Sequence, residues 1–383
     1  MRIAHIANFY GPTSGGLRTA MHALGSGYRE RGHEVLLVVP GERDLVEDTP
    51  YGTRVTVAAP IVPSSGGYRV IVRTRKVRRA LADFAPDVLE VSDRTTLRSL
   101  GAWAARRGIP SAFFAHERAD GILAANLPAW LRRIVSIEAL ADWHNRGTHK
   151  RFTTVVCTTE YARAEFARAG LAAVKVPLGV DLDRFHPRNA SHEARVSVAT
   201  DDETMLLMAA RLSKEKRPEL AIDTVRVLGE RGERVRLVSA GTGNVAQHMK
   251  ARAEGLPVTF LGFVADRDYF AQLLAIADVM VAPGPIETFG LAALEALASG
   301  TPAVVNAASA LPEVVADAGV AAAGTAESFA DAIQEILARD PIKRRAAARA
   351  RAESMPWSAT VDLMLALHTS QLSATPHTQR RPS

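Results

Sequence analysis

The 383-residue sequence contains a single cysteine, Cys157, and only 6% aromatic residues. One thiol cannot form an intramolecular disulfide or supply two thiolates to zinc, so a disulfide scaffold and a multi-cysteine zinc site are excluded. No run of about 18 uninterrupted apolar residues occurs, and the first residues lack an extended apolar segment followed by a cleavage site. We therefore expect a chain of a reducing compartment that neither spans a membrane nor carries an export signal.

Charge is unevenly distributed along the sequence. Hydrophobic residues make up 47% and charged residues 23%, which is ordinary for a folded chain, and the length predicts two to three domains at roughly 150 residues each. Residues 1–178 contain 25 Lys and Arg against 16 Asp and Glu, whereas residues 179–383 contain 22 against 25. The basic half indicates an anionic partner, which could be nucleic acid, an anionic membrane surface or a phosphorylated ligand.

Short apolar runs alternate with helical patterns in two successive series, which predicts an α/β fold. The first series predicts strands at 3–9, 35–39, 55–58, 88–91, 111–115 and 155–157. The second predicts strands at 205–209, 235–240, 258–261, 279–282 and 303–305. We expect two tandem Rossmann-like domains, followed by a terminal helix and a disordered tail. The predicted boundaries are 1–178, 179–355, 356–372 and 373–383.

A cationic run in the basic half alternates with apolar residues. Its cations, which are candidates to face a membrane, are Arg69, Arg73, Arg75, Lys76, Arg78 and Arg79. A basic amphipathic helix of this kind can lie on anionic lipid, or it can be the solvated face of an ordinary helix, and the sequence leaves both open. A nucleic-acid groove is less favoured, because the run lacks aromatic residues for base stacking.

Two glycine-bearing loops follow predicted strands. Gly15 and Gly16 precede the first helix, where glycine lets backbone N–H groups approach an anion, although a plain tight turn fits equally well. Residues 241–246 match the G-x-G-x-x-A pattern of dinucleotide-binding proteins. The next predicted strand has no acidic residue at its end to bind a ribose hydroxyl, which disfavours a nicotinamide enzyme.

Charged residues follow two strands of the second series. Arg211 and Lys216 come after the strand at 205–209, and two cations at the carboxyl end of a strand either suit a diphosphate or form a solvated basic loop. Glu287 precedes a predicted helix, and Glu295 lies about two turns along it on the same general face. These two carboxylates could bind the hydroxyls of a sugar and of a ribose.

Taken together, these motifs resemble the retaining nucleotide-sugar glycosyltransferases of family 4. The resemblance spans about residues 1–365 and includes the E-x7-E element, the Arg and Lys five residues apart, the early Gly-Gly loop and residues 177–185. Segments 7–12, 15–19, 90–94 and 282–290 more narrowly resemble the GDP-mannose-dependent α-mannosyltransferases of phosphatidylinositol mannoside synthesis. The resemblance implies a GT-B fold, in which two Rossmann-like domains face each other across a cleft.

The resemblance also implies roles for individual residues. Arg211 and Lys216 would bind the diphosphate, Glu287 would bind the hexose and Glu295 the ribose. His116 matches the histidine beside the reacting sugar, although a lone histidine is more often structural. The implied catalytic residues are His116, Arg211, Lys216 and Glu287, and the implied donor-binding residues are Gly15, Gly16, Arg211, Lys216, Phe263, Val264, Glu287, Phe289, Gly290, Leu291 and Glu295.

The expected reaction is retaining transfer of mannose from GDP-mannose to a phosphatidylinositol mannoside or related glycolipid. The acceptor hydroxyl would attack on the face from which the diphosphate leaves, and because two cations can screen that diphosphate we expect no metal and no cofactor. We expect a peripheral enzyme at the cytoplasmic face of the plasma membrane, without a nucleic-acid partner. Two alternatives remain: a family 4 transferase using UDP-glucose, another nucleotide sugar or a soluble acceptor, and a non-catalytic nucleotide-sugar or anionic-lipid binding protein.

Overall fold

The structure is a computed structural model that describes residues 1–11, 15–62, 67–132 and 134–374. The chain divides into two compact units. The N-terminal unit contains residues 1–178 and the chain from residue 357 onward, and the C-terminal unit contains residues 179–356. The predicted domain boundary was likewise at residue 178. The predicted disordered tail lies outside the described residues from position 375 onward.

The N-terminal unit is built on an eight-stranded sheet. Its strands are β1 (Arg2–Ala7), β2 (Glu34–Gly41), β3 (Leu45–Thr49), β4 (Gly52–Ala58), β5 (Val88–Ser92), β6 (Ser111–Ala115), β7 (Thr154–Cys157) and β8 (Val174–Lys175). Their order is β3-β4-β2-β1-β5-β6-β7-β8, and all described pairings are parallel except that of β3 with β4. The first seven helices are α1 (Gly16–Glu30), α2 (Thr74–Phe84), α3 (Ser99–Ala105), α4 (Ala119–Asn126), α5 (Ala129–Arg132), α6 (Ile137–His149) and α7 (Glu160–Arg168).

Both faces of this sheet are covered, which is why its central strands are continuous apolar runs. Successive residues of β1 point to opposite faces. Ile3 packs in one cluster with Met21 of α1, and Ile6 packs in another with Leu81 of α2 and Phe166 of α7. The arrangement has helices on the two sides of a largely parallel sheet, as in doubly wound α/β folds.

The C-terminal unit repeats this plan with six parallel strands. They are β9 (Thr204–Ala209), β10 (Val235–Ala240), β11 (Val258–Gly262), β12 (Val279–Ala282), β13 (Ala303–Asn306) and β14 (Gly319–Ala322), in the order β11-β10-β9-β12-β13-β14. The helices are α8 (His192–Val196), α9 (Pro218–Glu230), α10 (Ala246–Arg252), α11 (Arg267–Ile276), α12 (Leu291–Ala298), α13 (Leu311–Val315), α14 (Ala326–Ala338) and α15 (Pro341–Glu353). In such sheets ligands bind beyond the carboxyl ends of the strands.

The last helix, α16 (Trp357–Ala374), returns to the N-terminal unit. Its residues Val361 and Met364 join the apolar cluster of α1. The Thr360 hydroxyl donates to the backbone oxygen of Pro177 at 2.8 Å, and Gln371 Nε2 donates to Thr154 Oγ1 at 2.8 Å. The helix was predicted at 356–372 without an assigned partner, and it extends two residues further.

The cationic run from Arg69 to Arg79 does not form one continuous basic helix. The helix α2 begins only at Thr74, and Arg69 forms an antiparallel bridge with Ile61. The intervening residues 70–72 are β-branched, which favours extended backbone, and the Ile71 N–H donates to Asn8 Oδ1 at 2.8 Å. Of the predicted membrane-facing cations, Arg69 and Arg73 therefore precede the helix.

Candidate active site

The predicted donor-binding side chains of the C-terminal unit follow three strands at one edge of the sheet. Arg211 and Lys216 follow β9, Phe263 follows β11 and Glu287 follows β12. Because β9 and β12 are neighbours and all six strands are parallel, their carboxyl ends lie side by side. The segments after β9 and β12, which carry Arg211, Lys216 and Glu287, therefore begin at the same edge of the sheet.

Lys216 and Glu287 are in direct contact. The Lys216 ammonium group donates to Glu287 Oε2 as an ion pair, and both side chains are half-buried. The loops meet closely, because a Cβ added to Gly284 would lie 3.1 Å from the Lys216 Cα. A small cavity of about 40 Å³ borders the pair. The sequence assigned these residues to a diphosphate and to a hexose, and in this structure each is the other's partner.

Gly290 lets the chain turn from Glu287 into helix α12. Its φ is +80°, in the left-handed region, and an added Cβ would lie 2.2 Å from Leu311 Cδ2. Phe289 is buried, which anchors the turn, and α12 begins at Leu291. The first backbone N–H groups of a helix have no intrahelical acceptor, so this end of α12 favours negative charge.

Glu295 lies on α12 with only 7% of its surface exposed. Burial raises the pKa of its carboxyl group, and the neighbouring Arg267 opposes that shift. Arg267 Nη2 donates to Glu295 Oε1 at 2.8 Å, and its guanidinium carbon lies 5.1 Å from the centre of the Phe185 ring. The ribose-binding role of Glu295 stays a prediction, in which the ribose would share this carboxylate with Arg267.

The glycines of the G-x-G-x-x-A loop have a packing explanation. A Cβ on Gly241 would lie 1.9 Å from the Ala210 oxygen, and one on Gly243 would lie 2.1 Å from the Leu212 oxygen. The Leu212 N–H donates to the Thr242 oxygen at 3.1 Å. Both glycines are needed because this loop packs on the one that carries Arg211, so the motif supports the cationic loop without any dinucleotide.

Phe263 and Val264 lie beyond the end of β11. Gly262, with φ of +73°, turns the chain there, and Phe263 is 52% exposed. Val264 is half-buried. An exposed aromatic ring next to the strand ends is suited to stacking on a nucleotide base. The donor-binding role that the resemblance implies for Phe263 and Val264 stays a prediction.

In the N-terminal unit, Gly15 and Gly16 begin helix α1. Gly15 is the N-cap and makes no side-chain capping bond, and Gly16 is the first helical residue. A Cβ added to Gly15 would meet no heavy atom within 4 Å. The rest of the predicted loop, residues 12–14, lies outside the described residues. The described packing therefore gives no steric reason for glycine at position 15.

His116 follows β6 and is half-buried. Its Nε2 lies 2.8 Å from Ser92 Oγ, and its ring stacks on Phe114 with centroids 5.6 Å apart. Burial, with the charges of His5 and Arg94, lowers the pKa of His116 to about 3. His116 is therefore neutral at physiological pH and carries one ring hydrogen.

A cavity of about 300 Å³ lies in the N-terminal unit, and its lining residues were given no role from the sequence. Two arginines, Arg18 and Arg54, and the rings of Tyr10, His22 and Tyr51 contribute to its lining. Burial, followed by the charges of Arg18 and Arg54, lowers the pKa of His22 to about 4. The signal in the sequence that could have indicated this cavity is the resemblance of segments 7–12 and 15–19, which contain Tyr10 and Arg18.

The helices in the described part of the chain include none long and apolar enough to cross a bilayer. The histidine, cysteine, aspartate and glutamate side chains of the same part include no group of three or more placed to hold a metal ion.

Comparison with solved structures gives the fold. Sucrose-phosphate synthase from Thermosynechococcus elongatus has a TM-score of 0.77, covers 97% of this chain and 99% of its own, and is 20% identical. WaaG, a glycosyltransferase involved in lipopolysaccharide biosynthesis, has a TM-score of 0.70, covers 96% and 99%, and is 18% identical. The two Rossmann-like units are those of the GT-B fold, as the sequence predicted.

Sequence relationships give the family. Residues 14–184 match the model of "Glycosyltransferase Family 4" and residues 191–355 that of "Glycosyl transferases group 1". The GDP-mannose-dependent alpha-(1-6)-phosphatidylinositol dimannoside mannosyltransferase of Mycobacterium tuberculosis is 46% identical over 96% of this chain and 95% of its own. Alpha-monoglucosyldiacylglycerol synthase of Streptococcus pneumoniae is 25% identical over 89% and 79%. The chain belongs to glycosyltransferase family 4, and it is a glycosyltransferase.

Proposed function

We propose that this chain moves mannose from GDP-mannose to a phosphatidylinositol mannoside or a related glycolipid, with retention of configuration. The observation that carries the proposal is the 46% identity, over 96% of the chain, with a relative named for that donor and for a phosphatidylinositol dimannoside. The positions of Arg211, Lys216 and Glu287 after two neighbouring strands support the proposal. Cations bind a diphosphate, and a carboxylate accepts hydrogen bonds from sugar hydroxyls.

In this proposal the ion pair of Lys216 and Glu287 opens when the donor binds. Lys216 then faces the diphosphate with Arg211, and Glu287 accepts hydrogen bonds from the hexose. The acceptor oxygen bonds to the anomeric carbon on the face from which the diphosphate departs, and the hydroxyl proton passes to the leaving phosphate. The cations and the N-terminus of α12 stabilise the charge that develops on the leaving group.

A donor panel tests the proposal. The full chain is incubated with GDP-mannose, UDP-glucose and other nucleotide sugars, with and without a phosphatidylinositol mannoside in detergent, and both diphosphate release and glycolipid product are measured. With the acceptor present, we expect GDP to be released from GDP-mannose at least about tenfold faster than the nucleoside diphosphate is released from the other donors. The expected product is an α-mannosyl glycolipid. Faster turnover of another nucleotide sugar contradicts the donor assignment. Absence of turnover with every donor contradicts the enzymatic proposal.

We further propose that the enzyme works at an anionic membrane surface, the cytoplasmic leaflet of the plasma membrane. Two exposed apolar side chains, Ile61 (53% exposed) and Val72 (58%), accompany the cationic run. Part of its charge is internally paired, because Lys76 contacts Asp44 and Arg69 Nη2 lies 3.1 Å from Glu42. Arg79 forms a 4.0 Å ion pair with Asp83. The described part of the chain shows no ion pair for the remaining cations of the run, which are Arg73, Arg75 and Arg78.

Replacing four cations of the run with glutamine is expected to weaken binding to anionic vesicles. Each cation near such a surface contributes about 1 kcal/mol to binding, so removing four is expected to cost about 4 kcal/mol. The loss is about 2 kcal/mol if Lys76 and Arg79, the two ion-paired cations among the four, contribute nothing. The residual binding should be more sensitive to salt. Sedimentation with vesicles measures both effects. The substituted residues are Arg73, Lys76, Arg78 and Arg79.

The matched control removes four exposed cations from the C-terminal unit and should leave vesicle binding within about twofold. Its residues are Arg226, Arg234, Lys250 and Lys343. Hydrolysis of the donor in solution should survive in both variants. Equal sedimentation of the two variants, or no sedimentation of the wild-type chain at low salt, would show the run to be an ordinary solvated surface.

A further inference from the structure

The cavity of about 300 Å³ in the N-terminal unit has no role in the proposal above. Two guanidinium groups line it, those of Arg18 on α1 and Arg54 on β4, together with the rings of Tyr10, His22 and Tyr51. The described residues of its lining include no carboxylate. We call this space the basic cavity. Cations gathered in a concave site without acidic groups favour an anionic ligand.

Arg54 is held in place by its neighbours. Its Nη1 donates to the Tyr10 hydroxyl at 3.2 Å, and its Nη2 forms an ion pair with Glu47 of β3. Its Nε is buried and has no acceptor within the described residues. A buried N–H without an acceptor is costly, and an oxygen of a bound anion can supply the missing acceptor.

Arg18 adds a charge that no carboxylate of the described residues neutralises in an ion pair. It is the third residue of α1, is half-buried, and has no acidic residue beside it in the first turn. Burial, followed by the charges of Arg18 and Arg54, lowers the pKa of His22. Burial raises the pKa of Tyr10, and the same two charges oppose that rise. Both guanidinium groups therefore act on the same space.

Aromatic rings give the basic cavity a defined shape. The ring of His22 stacks on that of Tyr51, with centroids 3.6 Å apart and planes at 10°. The Tyr10 hydroxyl oxygen lies 2.6 Å from His22 Nε2 and also accepts from Arg54, so the rings and this guanidinium are linked. Planar guanidinium groups, fixed by such contacts, match the oxygen geometry of a phosphate group.

The basic cavity is separate from His116. Its residues belong to the segment after β1, to α1, to β2 and to the chain of β4, whereas His116 follows β6. Because β1 and β5 lie between β2 and β6, the two positions are three strand spacings apart, roughly 14 Å. The cavity is thus not part of the sugar site that the resemblance implies at His116.

The basic cavity adjoins the start of the cationic run. Its lining residues Tyr10 and Gly11 follow Phe9, whose N–H donates to the Arg69 oxygen at 3.4 Å. A Cβ added to Gly11 would lie 3.8 Å from the ring of Tyr68. An anion in the cavity therefore lies close to the surface proposed to face anionic lipid. Among sources of a phosphate group, this position favours a phospholipid headgroup over a dissolved ion.

We propose that the basic cavity binds the phosphate group of an anionic phospholipid, whose oxygens accept hydrogen bonds from Arg18 and Arg54. A phosphodiester carries one negative charge, and Arg18 balances it because Glu47 already pairs with Arg54. The lipid as the source of the phosphate rests on the proposed work at a membrane surface, whereas the phosphate site does not.

The ring signals of His22 report on the cavity in NMR spectra of the full chain with labelled histidine, and His22→Gln identifies them. Dihexanoyl phosphatidylinositol, inorganic phosphate and dihexanoylglycerol, which has no phosphate, are titrated separately at constant ionic strength. GDP is present throughout to fill the predicted diphosphate site. We expect saturable shifts with dihexanoyl phosphatidylinositol, at least about tenfold weaker binding of inorganic phosphate, and no shift with dihexanoylglycerol.

Arg18→Gln is expected to weaken the binding of dihexanoyl phosphatidylinositol about tenfold, because a charge-assisted contact is lost. Arg54→Lys keeps the charge but loses the planar fork, and it should also weaken binding. Arg29→Gln is the matched control, since Arg29 is an exposed cation of the same helix whose ion pair with Asp48 measures 3.8 Å. Its affinity should stay within about twofold of wild type, and melting temperatures check the folding of each variant.

The outcomes separate the site, its ligand and the proposed function. Absence of a saturable His22 shift with both phosphate compounds, or Arg18→Gln binding as tightly as Arg29→Gln, overturns the phosphate site. Inorganic phosphate binding as tightly as dihexanoyl phosphatidylinositol supports the site but overturns the lipid as its ligand. The titration needs no turnover, so a chain that does not use GDP-mannose contradicts the proposed function and leaves these results standing.

Discussion

Glu287→Gln is expected to lower the rate of sugar transfer about a hundredfold or more, because in the proposed reaction it removes the charge from the side chain that binds the reacting hexose. Glutamine keeps the size of the side chain. The backbone oxygen of Glu287 still accepts from the Ala310 N–H at 2.9 Å, so the loop after β12 keeps this anchor. Steady-state rates with GDP-mannose, together with the melting temperature, measure activity and folding separately.

Glu335→Gln makes the same chemical change at a surface ion pair. Glu335 is exposed on α14 and pairs with Arg339 Nη2 at 2.7 Å, four residues along the helix. Such a pair contributes little to stability. We therefore expect the rate of the Glu335→Gln variant to stay within about twofold of wild type. If Glu287→Gln also retained activity within about threefold, Glu287 would not be a residue that binds the reacting sugar.

Buried strands were the part of the fold that could be predicted from sequence. The segments 235–240 and 279–282 match β10 and β12 at both ends, because continuous apolar runs are typical of strands covered on both faces. The edge strand β3 was missed because its sequence, Leu-Val-Glu-Asp-Thr, is half polar, and it pairs only with β4. Such a strand depends on its neighbour more than on its own hydrophobic pattern.

Helix α15 was missed for a different reason. It is rich in arginine and alanine and has little apolar periodicity. Its arginines instead donate to backbone oxygens of other segments: Arg345 Nη1 to Ala277 at 3.1 Å and Arg349 Nη1 to Phe185 at 2.8 Å. Contacts of this kind are made only after the surrounding chain has folded, so no local pattern indicates them.

Prediction of the candidate site has a similar limit. The positions of Arg211, Lys216 and Glu287 at strand ends follow from spacing, because parallel strands bring their carboxyl ends to one edge. The contact between Glu90 and His368 joins residues 278 apart in sequence. It exists because α16 returns to the N-terminal unit, which no residue pattern in the sequence specified.

Lys216→Ala is expected to weaken GDP binding about tenfold or more, the second large effect that the site predicts. GDP contains the diphosphate but no hexose, so its affinity reports on the cation and not on sugar contacts. Calorimetric titration of GDP measures the dissociation constant. Lys214→Ala is the control, because Lys214 is an exposed lysine of the same short turn, and its loss should change GDP affinity by no more than about twofold.

The ion pair with Glu287 makes a second explanation of the same result possible. Removing Lys216 leaves the Glu287 carboxylate without this partner, and its negative charge could repel the diphosphate. The double variant Lys216→Ala with Glu287→Gln distinguishes direct binding from repulsion. If Lys216 binds the diphosphate, GDP affinity stays about tenfold low in the double variant, and Glu287→Gln alone binds GDP at least as tightly as wild type because Lys216 is no longer held by the carboxylate. Recovery of wild-type GDP affinity in the double variant would mean that Lys216 serves only to neutralise Glu287.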